Sequence, residues 1–488
     1  MNSFGAGTAR RIGRWAAAAV LAAGVAVPAS AAAPVSVLYS FAGSGAGAQP
    51  YGGLVQAADG YLYGTTLSSA IDAGWGVLYR VKPDGSAYQV VHAFTGEADG
   101  GAPRAGPTLG QDGALYGSTS TGTDSGARYG TLWRYVPGGA FSTLHVFSNV
   151  DGSYPGAALV QDSAGMLYGV TGSGGGGGRG VVFRLSPDGS QYLVLSQFSG
   201  GSGGAIPRGV TLGADQLLYG VTAQGGPTDE GVVFQVGRDG NGFKVLHSFN
   251  SAAGEGNNPQ APLALRAADG YLYGTTNNGG AGGFGTVFRI NAAGDFATVL
   301  SLDDIVTGAY PTAPLMVGRN GHLYGTAPGG GTNRDYGTLF EIDAQGRVLG
   351  VVPLTASAYS VQVGLTEGGN GKLYTAAYAG GTSGNGAVIE TDAAFPAPIK
   401  PLPTETIYFN QLFPPQTTNV TQVGKKMQLH WVSQYATSCV AGGSWSGRLR
   451  PEGIRYVSHA TPGEYPYTLT CRNANGATTT SSTLIVLP

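Results

Sequence analysis

Residue types able to do chemistry are sparse in this 488-residue chain, and where they fall into known patterns the surroundings suit another role. Gly200-Gly201-Ser202-Gly203-Gly204 matches the G-x-S-x-G of a hydrolase nucleophile, which needs a strand-to-helix elbow to raise the serine; here it lies in a Gly-rich loop. Gly172 to Gly178 match a dinucleotide fingerprint, yet no helix follows whose N-terminus would hold a pyrophosphate. His92, His145 and His247 share one slot of a recurring segment, a slot held elsewhere by Ser196 and Ser301. Zinc ligands must converge on one point and equivalent positions of separate repeats do not, so these histidines read as structural. Asp303-Asp304 has no partner acid or base that can be placed beside it, and reads as two solvated carboxylates rather than a calcium or general-base site. No catalytic residue, metal ligand or cofactor is expected.

The elements that would position any site come from a repeat. Leu-Tyr-Gly ends at Gly64, Gly117, Gly169, Gly220, Gly274 and Gly325, with a variant at Leu373-Tyr374-Thr375. The tyrosines, Tyr63, Tyr116, Tyr168, Tyr219, Tyr273, Tyr324 and Tyr374, are spaced by 53, 52, 51, 54, 51 and 50 residues, a period that fits four strands with their turns. Each period runs through a Pro-bearing loop, an apolar stretch, a turn, the Leu-Tyr-Gly strand, a Gly-rich loop, a Gly-Thr-Val-Phe-like strand, a turn and a last strand. In the fifth repeat the strands are expected at Leu263 to Ala267, Tyr271 to Thr276, Gly285 to Ile290 and Phe296 to Leu302. Asp-Gly and Asn-Gly pairs such as Asp59-Gly60, Asp112-Gly113 and Asn320-Gly321 supply hairpin turns, because these residues tolerate positive φ. The glycine after each tyrosine marks a place where another backbone or sheet comes close.

The ends of the array set its topology. Val35 to Phe41 reads as a fourth strand with no predecessors, whereas the seventh repeat supplies Val361 to Thr366, Lys372 to Ala377 and Gly386 to Thr391 and then runs into Phe395-Pro396-Ala397-Pro398 without a fourth. One stray strand completes the other sheet only if first and last repeats are neighbours, so the expected fold is an all-β, seven-bladed β-propeller with four-stranded blades. Strand direction alternates, which sends the loops between second and third strands and those between blades to one face. There lie Asp72 and Trp75, Asp124 with Arg128 and Tyr129, Arg179, Asp229 and Glu230, Asn277 and Asn278 with Phe284, and Arg334, Asp335 and Tyr336. These loops vary while the strands do not, and their aromatics mixed with Asn, Asp and Arg suit a carbohydrate or protein ligand.

Arg10, Arg11 and Arg14, the apolar run Trp15 to Val27 and Ala29-Ser30-Ala31 form a secretory signal peptide over residues 1–31. The Arg10-Arg11 pair fits both twin-arginine export and a generic basic n-region. No later segment is apolar for the length of a membrane helix. After cleavage 23 basic residues face 28 acidic ones, no footprint for nucleic acid. Two cysteines in an exported chain, Cys439 and Cys471, are expected to pair.

On Leu62 to Thr66 (LYGTT) and Gly285 to Phe288 (GTVF), recurring in order over residues 35–393, the chain resembles the GloVer tandem repeat of secreted bacterial proteins. The resemblance implies an extracytoplasmic or cell-surface life and no assigned enzymatic activity. Many members end in an envelope anchor; Ser482 to Pro488 reads instead as a final strand, so anchoring is not expected here. After a Pro-rich linker over 394–404, residues 405–488 are similar to small bacterial immunoglobulin-like domains, with Met427, Leu429 and Trp431 alternating onto one face and both cysteines in strands. The expected function is non-catalytic binding of a glycan or protein by a monomeric chain. The alternative is a secreted polysaccharide hydrolase or lyase with its site at the propeller tunnel mouth.

Overall fold

The computed structural model describes residues 35–488 except 70–73, 124, 333–335, 397–403, 412–418, 435 and 474–475. The expected signal peptide, most of the expected linker, and Asp72, Asp124, Arg334 and Asp335 therefore lie outside the described residues. The chain is all-β. Seven antiparallel sheets follow the sequence period, six of four strands and one of five. In the fifth, Ala264–Arg266, Tyr271–Thr276, Thr286–Ile290 and Phe296–Ser301 lie side by side in chain order. The orphan strand Ser36–Ser40 pairs antiparallel with Ala387–Asp392, Ser36 opposite Glu390 and Ser40 opposite Ala387, and so completes the seventh sheet.

Most first strands are shorter than the apolar pattern suggests. Val361 to Thr366 contributes only Thr366–Glu367 to the seventh sheet, and the residues before it run as loop. Threonines of the first strands bridge one sheet to the next: the Thr108 hydroxyl donates to the Leu159 carbonyl at 2.7 Å and Thr211 to Leu263 at 2.5 Å. Thr366 donates in the same way to Leu54, which joins the last repeat to the first.

The two repeated motifs explain each other. Tyr63, Tyr116, Tyr168, Tyr219 and Tyr273 are buried and donate from their hydroxyls to Asp59, Asp112, Asp162, Asp215 and Asp269 in the preceding turn at 2.6–2.9 Å. In the last two repeats the turn residue is Asn320 or Asn370, which donates to the tyrosine oxygen at 2.8 Å. Burial first, then the Asp269 carboxylate, push the Tyr273 phenol up to about 12, so it stays a donor. The positive φ of these turns falls on glycines such as Gly60 and Gly113, while the Asp59 and Asp112 carboxylates accept turn N–H groups of Tyr61 and Ala114.

The glycine after each tyrosine has a different cause from the one its sequence suggests. Gly274 sits directly across from Phe288, and a Cβ there would run into the Phe288 ring and come within 2.6 Å of Leu263 Cδ2. Gly64, Gly117, Gly169, Gly220 and Gly325 face Tyr79, Trp133, Phe183, Phe234 and Phe340 in the same register. What comes close is a cross-strand aromatic ring lying over the glycine, not another sheet's backbone. The seventh repeat replaces both partners together, with Thr375 across from Ile389.

The shared histidines tie one sheet to the next. His92, His145 and His247 meet Asp99, Asp151 and Glu255 at 2.9–3.0 Å and stack nearly parallel on Phe141, Tyr192 and Phe296 of the following sheet, with ring centroids 3.6–4.0 Å apart. Burial holds His145 below the usual histidine range despite Asp151. Its folded pKa is thus depressed, so the stability it contributes is full above the unfolded value of about 6.5 and is lost as pH falls from there through the lower folded value. Thermal unfolding followed from about pH 7.5 to about pH 5.5 should show a falling Tm, and His145→Gln should start lower but fall less steeply. A variant as steep as the parent would remove His145 from the titration.

Residues 404–487 form a three-stranded and a five-stranded sheet. Met427, Leu429 and Trp431 are buried along one face as the alternation predicts, packed with Ile407 and Phe409 against Tyr467, Leu469, Leu484 and Val486 of the other sheet. Cys439 and Cys471 are disulfide-bonded. They lie directly opposite one another on adjacent strands, so the bridge staples one sheet rather than joining two. At the other end of the linker, Phe395 is buried edge-on to Tyr324, and the Pro396 carbonyl accepts from Val351 N at 3.0 Å. The first linker residues therefore belong to the packing of the sixth sheet.

Candidate functional site

Each inter-repeat loop carries a residue in the left-handed region just before the repeat's proline. Gln49, Ala102, Tyr154, Ile206, Asn258, Tyr310 and Ser360, the last preceding Val361 where the others precede proline, all have φ between 50° and 61°. For residues other than glycine this costs about 1 to 2 kcal/mol each, and for β-branched Ile206 it is a marked outlier. One repeated bond holds the strained backbone. The N–H of Ala102, Tyr154, Ile206, Asn258, Tyr310 and Ser360 donates at 2.8–3.1 Å to the carbonyl of Trp75, Tyr129, Arg179, Glu230, Phe284 and Tyr336 in the repeat before. Gln49 donates to Asn385 at 2.8 Å, closing the series between the first and last repeats.

Six of the loop residues singled out in the sequence, Trp75, Tyr129, Arg179, Glu230, Phe284 and Tyr336, are thus brought to one equivalent slot, with Asn385 in the seventh, and it is their main chain that acts. Several of their side chains are engaged. Trp75, Tyr129, Phe284 and Tyr336 are half-buried against the hydrophobic clusters of the sheets. Glu230 accepts from Ser251 N at 2.6 Å, Asp229 accepts from Gly225 N at 2.7 Å, and Asn278 lies in a short ladder with Asn257. Arg128 lies 5.6 Å from the Tyr129 ring centre, and Arg179 is exposed. Asp303 accepts from Ile305 N and Val306 N at 2.9 and 3.1 Å, which makes it a turn residue. Among the described residues no cluster of His, Cys, Asp or Glu is arranged to hold a metal ion.

The residues the sequence reading missed come two positions after the strained one. The left-handed turn and the proline swing the next side chain inward, and Tyr51, Arg104, Arg208, Gln260, Thr312 and Gln362, with Gly156 in the third repeat, line a cavity of about 550 Å³ to which all seven repeats contribute. Tyr154 and Ile206 of the strained set, with Ser120, Gly172 and Ser173 from the loops after second strands, carry this lining toward the variable loops. Arg104 and Arg208 are the charged side chains of the lining; no Asp, Glu, His or Cys of the described residues contributes to it. A signal was present: each repeat's proline is followed by a residue whose character changes from repeat to repeat.

Known proteins fit this architecture. The Gloeobacter/Verrucomicrobia repeat matches residues 23–212 and 160–389. No curated protein matches the chain. Among solved structures, the extracellular domain of a putative hybrid two component system from B. thetaiotaomicron aligns with a TM-score of 0.51 at 12% identity over 93% of this chain and 57% of that one. The extracellular domain of a putative one component system from the same organism gives 0.48 at 13% identity over 93% and 58%. This chain therefore spans less than two thirds of the structures it resembles, and at such identity the likeness is one of fold. No helix among the described residues is long and apolar enough to cross a membrane.

Proposed function

Because the chain belongs to the Gloeobacter/Verrucomicrobia repeat family, we propose that it is an exported, non-catalytic binding protein: a seven-bladed β-propeller over residues 35–393 that takes its ligand in the axial cavity beneath the variable loops, followed by an immunoglobulin-like module over 405–488. Seven sheets of one pattern, a first strand that completes the last sheet, and the same Thr-to-Leu bond between repeats seven and one as between neighbours support the ring. The basic n-region, apolar run and small-residue triplet of residues 1–31 support export.

The observation that carries the binding reading is the cavity itself, whose volume falls in the range of small-ligand sites. Glycoside hydrolysis ordinarily uses a pair of carboxyl groups flanking the scissile bond, and this lining has none among the described residues; its groups able to exchange a proton are the Tyr51 and Tyr154 phenols. The hydrolase form of the alternative is the weaker reading for that reason, and turnover decides the lyase form. The test is a thermal-shift and calorimetric screen of the purified chain against neutral and acidic oligosaccharides, peptidoglycan fragments and peptides, with turnover measured on every binder. Binding without product formation is expected, and Thr312→Trp, which narrows the cavity, should weaken it. Turnover of a bound glycan, or binding indifferent to Thr312→Trp, would overturn the reading.

A further inference from the structure

Two cationic side chains share the cavity without a counter-charge. Neither Arg104 nor Arg208 makes an ion pair or a side-chain hydrogen bond among the described residues, whereas Arg80, Arg134, Arg238, Arg266, Arg319 and Arg347 all pair with carboxylates. Arg208 is only partly exposed, and its Nε is buried with no hydrogen-bond partner, as is the Thr312 hydroxyl on the same wall. Arg104 extends over Tyr51, its guanidinium carbon 5.7 Å from the ring centre. Desolvation by burial pushes the Arg208 guanidinium below its ordinary value, and the like charge of Arg104 adds to that effect while Tyr51 opposes it. Proteins rarely leave guanidinium donors buried and unpaired, because their loss of water is then uncompensated.

Resting on the binding reading above, we infer that the cavity is an oxyanion site and that its ligand is an acidic saccharide, held through a carboxylate of a uronic-acid residue by Arg208 and Arg104. A planar carboxylate matches the guanidinium fork with two parallel hydrogen bonds, and the lining holds no acid to repel it. The rest of the wall suits a sugar more than an acidic peptide. Tyr51 and the half-exposed Tyr154 offer apolar ring faces for the C–H side of a pyranose, and the Gln260 and Gln362 amides offer donors and acceptors for its hydroxyl groups. A cavity of about 550 Å³ lined by all seven repeats favours the end of a short oligosaccharide over a folded partner.

Titration calorimetry on the purified chain tests this with trimers of galacturonate, guluronate and mannuronate, fully methyl-esterified trigalacturonate, a neutral galactose trimer, pentaglutamate and inorganic sulfate. At least one uronate trimer is expected to bind, more weakly as salt is raised, and to lose about tenfold or more in affinity in Arg208→Gln and in Arg104→Gln. Esterification of a bound trigalacturonate should cause a similar loss. Arg104 is exposed, so its variant keeps the test open if Arg208→Gln lowers the melting temperature. Failure of all three uronates, equal binding of ester and acid, tighter binding of pentaglutamate or sulfate, or unchanged affinity in both arginine variants would overturn the inference. Binding of the neutral trimer alone would overturn it too, yet would leave the glycan-binding reading standing.

Discussion

Gly274→Val is expected to lower the stability of the repeat array by about 3 kcal/mol, the upper range for forcing extra atoms into a packed core. The Phe288 ring occupies the space a side chain would need, Leu263 closes the other side, and both are buried. The seventh repeat shows how the same fold accommodates a larger residue: Thr375 replaces the glycine where Ile389 replaces the ring. The double variant Gly274→Thr with Phe288→Ile should therefore be more stable than the sum of its single substitutions allows, by about 1 kcal/mol or more. Urea unfolding of the four proteins measures this coupling directly. Strict additivity would mean that the ring over the glycine is not what excludes a side chain.

Cys439→Ser should destabilise the C-terminal unit by about 3 to 4 kcal/mol in the chain-entropy treatment, given the 32-residue separation of the bonded cysteines. The unit is small and its core rests on a limited set of large side chains, among them Trp431, Trp445 and Tyr467, so this loss is a large fraction of its total. Both cysteine side chains are buried in that core, and a serine hydroxyl in their place would have to find a partner there. Melting with and without reductant gives the control. The parent should fall toward the variant when reduced, and a parent that melts alike in both conditions would show that the bridge adds nothing.

Much of the architecture was legible because it rests on short-range chemistry. A tyrosine every fifty-odd residues, a turn aspartate or asparagine a few positions before it, and a glycine after it form a set whose members contact one another within a hairpin, so their spacing carries the strand order. The unmatched strand at residues 36–40 and the missing fourth strand after residue 391 are likewise a local deficit and a local surplus, and the pairing of Ser36 with Glu390 answers both. The Met427, Leu429 and Trp431 alternation needed only the two-residue period of a strand. Even the histidine slot was readable as structural, although its acid and its stacking partner on the next sheet were not.

The site was far less legible, for a physical reason. Loop residues such as Trp75, Tyr129 and Glu230 stood out by type, yet what the fold uses at that slot is a carbonyl, which every residue possesses and no side chain advertises. Nor does local preference predict a left-handed Ile206 or Tyr154; that conformation exists because a hydrogen bond from the neighbouring repeat holds it. The amino-acid order by itself determined the repeat, its turns, its strand faces and the need for its two ends to meet. Only the tertiary structure decided that Tyr51, Arg104 and Arg208, separated in turn by 53 and 104 residues along the chain, look into one cavity, since their convergence depends on stacking between sheets and on backbone strain held across repeats.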